Sequence, residues 1–180
     1  MSILEGNKSG QLMVEAMVAI SLLSIGMLGT FGVLSQSLGI SRIAADQYVA
    51  ANLASEGIEI VKNEIDAEYT TSGTFATNIF SKNNKFCPVD YKSGIQSGCR
   101  NAEPTNLKSN NIDQFRVKQD GYGVYGSTGD PTSFVRYVHI EWIEPHIIEV
   151  KSTVKWIGRG GLDFDIEVAD KFYNWRSLPE

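Results

Sequence analysis

The first third of the chain is compatible with one continuous helix that has two different hydrophobic patterns. Between residues 12 and 34 almost every side chain is apolar, and Glu15 is the only charged residue. As a helix rising about 1.5 Å per residue, this run can cross a hydrocarbon core of roughly 30 Å. No proline occurs before Pro88, so we predict one helix from about residue 12 to residue 66. Its second half is amphipathic, with an apolar stripe at mostly three- and four-residue steps: Leu38, Ile40, Ile43, Ala44, Ala51, Leu53, Ala54, Ile58, Val61 and Ile65.

The last fifty residues alternate in the manner of antiparallel strands. Residues 134–143 predict a strand that ends at Pro145, and residues 148–156 predict a second strand with one apolar face. After a glycine-rich turn at residues 158–161, a returning strand sets Phe164, Ile166 and Val168 against Asp163, Asp165 and Glu167. We therefore predict an α+β fold, in which a long N-terminal helix packs on a small antiparallel β-sheet.

The segment between helix and sheet, residues 70–129, is rich in serine, threonine, asparagine, glycine and lysine, which indicates loops. It contains the chain's two cysteines, Cys87 and Cys99. If this segment lies outside a membrane, a disulfide between them is the simplest interpretation. Two free thiols are the alternative, and two cysteines are too few for a closed zinc site.

The negative charge is concentrated on the helix. The net charge of the chain is −5, and residues 11–70 hold seven acids against two bases. Residues 71–180 hold thirteen of each, so nothing in the charge balance indicates a nucleic-acid partner.

No pattern in the sequence indicates catalysis or metal binding. Asp163, Asp165 and Glu167 share one face of a strand, where successive side chains are nearly 7 Å apart. This spacing is too wide for one calcium ion without loop ligands. We expect them to form cross-strand ion pairs with Lys151 and Lys155.

Two other sets of polar residues have equally simple interpretations. Glu56, Glu59 and Glu64 are interpreted as a solvated helix face, and His139 and His146 as surface or packing residues. We predict no catalytic residue, no metal site and no cofactor.

Glu15 is unusual because an ionised side chain is costly in an apolar helix. Glu15 therefore needs a cationic partner, a neutral state or a position at headgroup depth. Residues 1–10 are too polar for a conventional secretory signal. If the chain is cut after Gly10, Glu15 becomes the fifth residue from a new terminal amine, with which it or a neighbouring subunit can pair.

These residues resemble the processing and assembly segment of type IV prepilins and the related pseudopilins, in the order Ser9, Gly10, Gln11, Leu12, Met13, Val14 and Glu15. Many members of that family have phenylalanine directly after the cut, where this chain has Gln11. Residues 52–63, 154–158 and 172–176 also resemble a minor-pilin-like subgroup.

The resemblance implies four regions: a leader over residues 1–10, a transmembrane and assembly half of the helix over 11–34, an amphipathic half over 35–69, and an extracytoplasmic part over 70–180. It implies cleavage after Gly10 by a prepilin peptidase, methylation of Gln11 and a role for Glu15 in subunit assembly. The glycines at three-residue spacing, Gly26, Gly29 and Gly32, suit close helix packing or a locally unwound segment.

The implied function is that of a structural subunit of a type IV pilus or a similar filament, used in adhesion, motility or DNA uptake. Its partners would be other pilin subunits, the prepilin peptidase, and the assembly platform with its ATPase. The subunit would lie in the cytoplasmic membrane before assembly and in an extracellular filament afterwards. Two alternatives remain: a pseudopilin of a type II secretion system or DNA-uptake machine, and a single-pass anchored binding module or, less simply, an enzyme.

Overall fold

A computed structural model describes residues 8–158 and 160–175. The chain divides into two units, residues 1–45 and residues 46–180. The first helix, α1 (Lys8–Ser72), is unbroken, which confirms the predicted helix and extends it by several residues at each end. It ends at Ser72 and is followed by Gly73, which has a positive φ of 69° and donates its N–H to the carbonyl of Tyr69 at 2.9 Å.

The second unit contains the antiparallel sheet predicted for the C-terminal part, together with short elements that the sequence did not predict. A short helix, α2 (Thr77–Phe80), and a 3-10 helix (Asn110–Phe115) lie in the intervening segment. The strands are β1 (Lys85–Cys87), β2 (Val89–Asp90), β3 (Gly94–Ile95), β4 (Arg116–Gln119), β5 (Tyr125–Gly126), β6 (Asp130–Glu144), β7 (Ile147–Ile157) and β8 (Asp163–Tyr173).

The main sheet has the order β5-β4-β6-β7-β8, and β1 pairs with β6. Strands β2 and β3 form a separate two-stranded sheet. The β7–β8 hairpin is paired continuously, from Ile147 opposite Tyr173 to Ile157 opposite Asp163. Alternation in β7 buries one face completely, as predicted: Ile148, Val150, Val154 and Trp156 are each at most 2% exposed.

The core of this unit forms where the last part of α1 covers that face of the sheet. Ile58, Val61 and Ile65 are buried as predicted, and they form one cluster with apolar residues of β6 and β7. A second cluster joins Leu53 to Trp156. At Gly57 the helix α1 lies very close to β7, because a Cβ atom at that position would collide with the side chain of Ser152. The helix-on-sheet arrangement is therefore stabilised by burial of the amphipathic stripe.

Two predictions about ion pairs were wrong. Lys155 lies opposite Asp165 in the sheet, but its amine contacts Glu103. The amine of Lys151 lies 3.0 Å from Glu149 on its own strand. A lysine side chain is long enough to reach carboxylates outside the facing strand, so register alone did not identify the partner.

Candidate functional site

The residues predicted for processing and assembly lie in the first turns of α1. Gly10, Gln11 and Glu15 are helical and exposed. Gln11 and Glu15 are four residues apart, so they share one face of the helix. The structure therefore presents this junction on an accessible surface, while the predicted leader lies mostly outside the described residues.

The apolar part of α1 has no cover within the described chain. Its large side chains between residues 12 and 34 are 52% to 75% exposed, and the window apolar enough to cross a membrane has none of its residues buried. They face all sides of the helix: Leu12, Met13, Val14, Met17, Val18, Ile20, Leu22, Leu23, Ile25, Met27, Leu28, Phe31, Val33 and Leu34. The helix is thus long and apolar enough to cross a membrane, and an exposed apolar surface of this extent indicates contact with lipid or with another protein.

The hydroxyl groups in this span bond to the helix itself. Ser21 donates to the carbonyl of Met17 and Ser24 to that of Ile20, each at 2.7 Å. Thr30 donates to the carbonyl of Met27 at 3.0 Å. Because these side chains satisfy their donors locally, they add little to the cost of placing the helix in an apolar environment.

Gly26, Gly29 and Gly32 lie on this exposed part and leave its backbone open. A Cβ atom at any of the three would meet nothing within 4 Å apart from the helix's own backbone nearby. These glycines are therefore not required by packing within the described chain. The helix passes through all three without interruption.

The apolar stripe is also uncovered between residues 38 and 43. Leu38 and Ile40 are about 60% exposed, and Ile43 is 42% exposed. The exposed apolar surface thus extends past residue 34, beyond the length needed for one membrane crossing.

The acids in the last part of α1 hold the second unit together, contrary to the interpretation of a solvated face. Glu56 accepts a hydrogen bond from the buried guanidinium of Arg136 at 2.9 Å. Glu64 accepts from the backbone N–H of Ile95 at 2.7 Å. Of the three acids in that prediction, only Glu59 is exposed.

Arg136 is the central polar residue of this unit, and sequence reasoning did not assign it a role. It is 2% exposed, and it also donates to the backbone carbonyls of Leu53 and Val89. The alternation in β6 could have indicated this role, since Arg136 occupies an inward position between Phe134 and Val138. A charged residue at such a position needs an opposite charge or hydrogen-bond acceptors within reach.

Cys87 and Cys99 form the predicted disulfide. The bond closes a loop that contains the β2–β3 hairpin. Within this loop Asp90 is buried and accepts from the N–H of Ser127 at 2.9 Å, next to β5. The bond between Asp90 and Ser127 therefore attaches the disulfide loop to the edge of the sheet. The bond between Ile95 and Glu64 attaches the same loop to α1.

A hydrogen-bonded group on the face of the sheet opposite α1, where Tyr137 is buried against residues of the 3-10 helix, shifts two pKa values. Glu103 accepts from both Lys155 and Tyr137, each at 2.5 Å. The bonds from Lys155 and then from Tyr137 hold the pKa of Glu103 below its usual value. Burial, followed by the bond to Glu103, raises the pKa of the Tyr137 hydroxyl. The ion pair is partly exposed and fastens the loop before the 3-10 helix to β6 and β7.

The two histidines are not brought together as a catalytic pair. His139 stacks on Phe86 at 4.6 Å between ring centroids, and one of its ring nitrogens lies 3.2 Å from Asn84. His146 is exposed in the β6–β7 turn. Among the described residues, no group of three or more histidine, cysteine or acidic side chains is arranged to hold a metal ion.

No family model matches this chain, and neither a curated protein nor a solved structure matches it. We therefore infer function from the residues and exposed surfaces of the chain itself.

Proposed function

We propose that this chain is a structural subunit of a type IV pilus or a type IV pilus-like filament, cleaved after Gly10 and assembled through α1. One observation carries the proposal: the exposed apolar span of α1 begins beside a glycine junction and contains a single acid, Glu15. A simple anchor needs the apolar span but neither the junction nor the acid.

The exposed surface of the span suits both locations of such a subunit. Before assembly, residues 12–34 would contact lipid, and in the filament they would contact the same helix of other subunits. Both environments are apolar, so the transfer itself changes the hydrophobic free energy little. The assembly ATPase and platform proteins would supply the work of extraction.

Glu15 acquires a partner through processing. Cleavage after Gly10 would create a terminal amine on Gln11, and this amine of one subunit would pair with Glu15 of its neighbour. An ion pair within a bundle of apolar helices is strongly register-dependent, because either charge alone is expensive there. The open backbone at Gly26, Gly29 and Gly32 would allow the helices to approach closely.

The second unit would form the outer surface of the filament. A disulfide favours an oxidising compartment, which agrees with an extracytoplasmic position for Cys87 and Cys99. A pseudopilin of a type II secretion system is the alternative within the same class. Recovery from filaments sheared off the cell surface would separate the pilus from that alternative.

The processing step is tested with Gly10→Val in cells that contain an active prepilin peptidase. Mass spectrometry of the membrane fraction is expected to find wild type starting at Gln11 and Gly10→Val retaining its leader. Gly6→Val is the matched control, since it alters a leader glycine away from the junction and is expected to be processed normally. A wild-type chain that keeps its leader, in cells that process another prepilin, would contradict the proposal and favour an anchored binding module.

A further inference from the structure

Strand β8 (Asp163–Tyr173) is a long free edge of the main sheet. It pairs with β7 along its whole length without a register shift, and it contains no proline. Among residues 8–158 and 160–175, no strand pairs with its other side. A regular edge of this length exposes a row of backbone donors and acceptors that another strand can use.

The face of β8 toward α1 is apolar and only partly covered. Phe164 stacks on Trp156, with ring centroids 5.6 Å apart, and Ile166 and Val168 pack against the clusters that contain helix residues. All three side chains are half-buried, whereas their neighbours on β7 are fully buried. A further strand at this edge would bury the remaining apolar surface of these side chains.

The opposite face of β8 carries a row of exposed carboxylates: Asp163, Asp165 and Glu167. The lysines expected to neutralise them are used elsewhere, since Lys151 contacts Glu149 and Lys155 contacts Glu103. Glu167 accepts a hydrogen bond from the hydroxyl of Thr153 at 3.3 Å, and Lys151, whose amine pairs with Glu149, acts on Glu167 only from a distance.

Charge selects the kind of strand that fits this edge. β8 holds four carboxylates and one lysine, which gives it a net charge of −3. Two copies of β8 placed side by side would double that negative charge within one sheet, so the acids oppose pairing between copies. A strand with lysine or arginine at alternate positions would instead oppose the carboxylates with cations.

We propose that the outer edge of β8 binds an extended basic segment of a partner protein by strand addition, with apolar residues of that segment alternating with lysine or arginine. The backbone bonds supply binding that does not depend on sequence. Phe164, Ile166 and Val168 contact the apolar side chains of the added strand. Asp163, Asp165 and Glu167 select for basic residues on its other face.

Strand addition is tested with the full chain in lipid nanodiscs and a short peptide in which lysine alternates with valine. Hydrogen exchange is expected to show new protection of amides in β8 when the peptide is added. The same peptide with alternate backbone nitrogens methylated retains its charge but loses the donors of one edge. It is expected to give no protection; equal protection by both peptides would overturn strand addition.

The role of charge is tested with a triple variant, Asp163→Lys, Asp165→Lys and Glu167→Lys. We expect affinity for the lysine peptide to fall by roughly tenfold, the size expected for three lost cross-strand pairs, and a glutamate–valine peptide to bind instead. Asp130→Lys, Glu141→Lys and Glu144→Lys form the matched control, because they make the same charge change at exposed positions of β6.

Three results would overturn the proposal. One is equal weakening of lysine-peptide binding by the β8 and β6 triple variants. Another is protection at a strand other than β8. The third is protection of β8 that rises with protein concentration in the absence of peptide, since a second copy would then occupy the edge. None of these measurements depends on cleavage after Gly10, so they are independent of the proposed filament function.

Discussion

The guanidinium of Arg136 on β6 donates to the carboxylate of Glu56 on α1 at a distance of 2.9 Å. The arginine is fully buried, while the glutamate side chain is 33% exposed. The helix thus supplies the counter-charge for a cation inside the second unit. This contact explains why an acid is found on a helix surface that packs against the sheet.

Replacing Glu56 should therefore destabilise the second unit more than replacing a neighbouring acid. We expect Glu56→Leu to cost about 3 kcal/mol in the free energy of unfolding, because it leaves the Arg136 charge buried without its partner. Glu59→Leu is the matched control, and at that exposed position the change should stay within about 0.5 kcal/mol. Thermal unfolding of the detergent-solubilised chain, followed by near-ultraviolet circular dichroism, measures both.

The double variant Glu56→Leu with Arg136→Met sharpens this test. It removes both charges, so it should be more stable than Glu56→Leu alone. Equal stabilities for the double variant and Glu56→Leu would show that the uncompensated charge is not the source of the loss.

The close approach at Gly57 predicts that even alanine is too large there. Although alanine favours a helix by up to about 1 kcal/mol, the added Cβ would collide with Ser152. We expect Gly57→Ala to cost about 1 to 3 kcal/mol in unfolding free energy. Ser55→Ala, at an exposed helix position two residues earlier, should be neutral or slightly stabilising. A Gly57→Ala protein as stable as Ser55→Ala would contradict the packing described here.

The disulfide should make a measurable contribution to stability. In the chain-entropy model a loop of this size contributes about 3 kcal/mol, and the sequence separation between Cys87 and Cys99 is 12 residues. We expect Cys87→Ser with Cys99→Ser to unfold at a lower temperature than wild type. Added reductant should lower the wild-type transition and leave that of the double variant unchanged. A reductant effect of equal size on both proteins would point to a cause other than this bond.

Glu103 predicts a pH dependence of defined sign. Its pKa is lowered in the folded protein by the bonds from Lys155 and Tyr137. The stabilisation is therefore fully present above the unfolded pKa of about 4.3, and it is lost as pH falls through the lower folded pKa. Glu103→Gln should be less stable than wild type at neutral pH, and the difference in their free energies of unfolding should disappear in acid. Glu141→Gln, at an exposed β6 position, should show no comparable difference; a Glu103→Gln difference that widens in acid would reverse the predicted sign.

The sequence predicted the elements whose patterns are long. The absence of proline before Pro88 and the stripe through Ile58, Val61 and Ile65 were enough for α1, and strict alternation was enough for β6, β7 and β8. Strands β1 to β5 are only two to four residues long. Such short segments carry no readable period, and they become strands only because distant partners pair with them.

The residues predicted for processing and assembly are local in sequence, whereas the contacts of the helix acids are not. Gly10, Glu15 and the apolar span lie next to one another, and their resemblance to type IV prepilins indicated them. The contacts of Glu56 and Glu64 involve residues far along the chain, Arg136 and Ile95. An acidic helix face looks the same in sequence whether it faces water or a buried donor, and only the packed sheet distinguishes the two.

Assembly through α1 predicts a specific phenotype for Glu15. Glu15→Ala should still be cleaved after Gly10, because the junction is intact. It should be depleted by about tenfold or more from sheared filaments, since the terminal amine of a neighbour would have no counter-charge among apolar helices. Glu59→Ala is the control for loss of one acid on the same helix. Normal incorporation of Glu15→Ala would show that this residue does not set the subunit register.

The most direct measurement for the central claim is the intact mass and N-terminal sequence of the chain recovered from sheared surface filaments, compared with the membrane fraction of the same cells. We expect a filament chain that begins at Gln11, with or without one added methyl group. A chain that retains its leader and occurs only in membranes, in cells whose prepilin peptidase is active, would contradict the filament function.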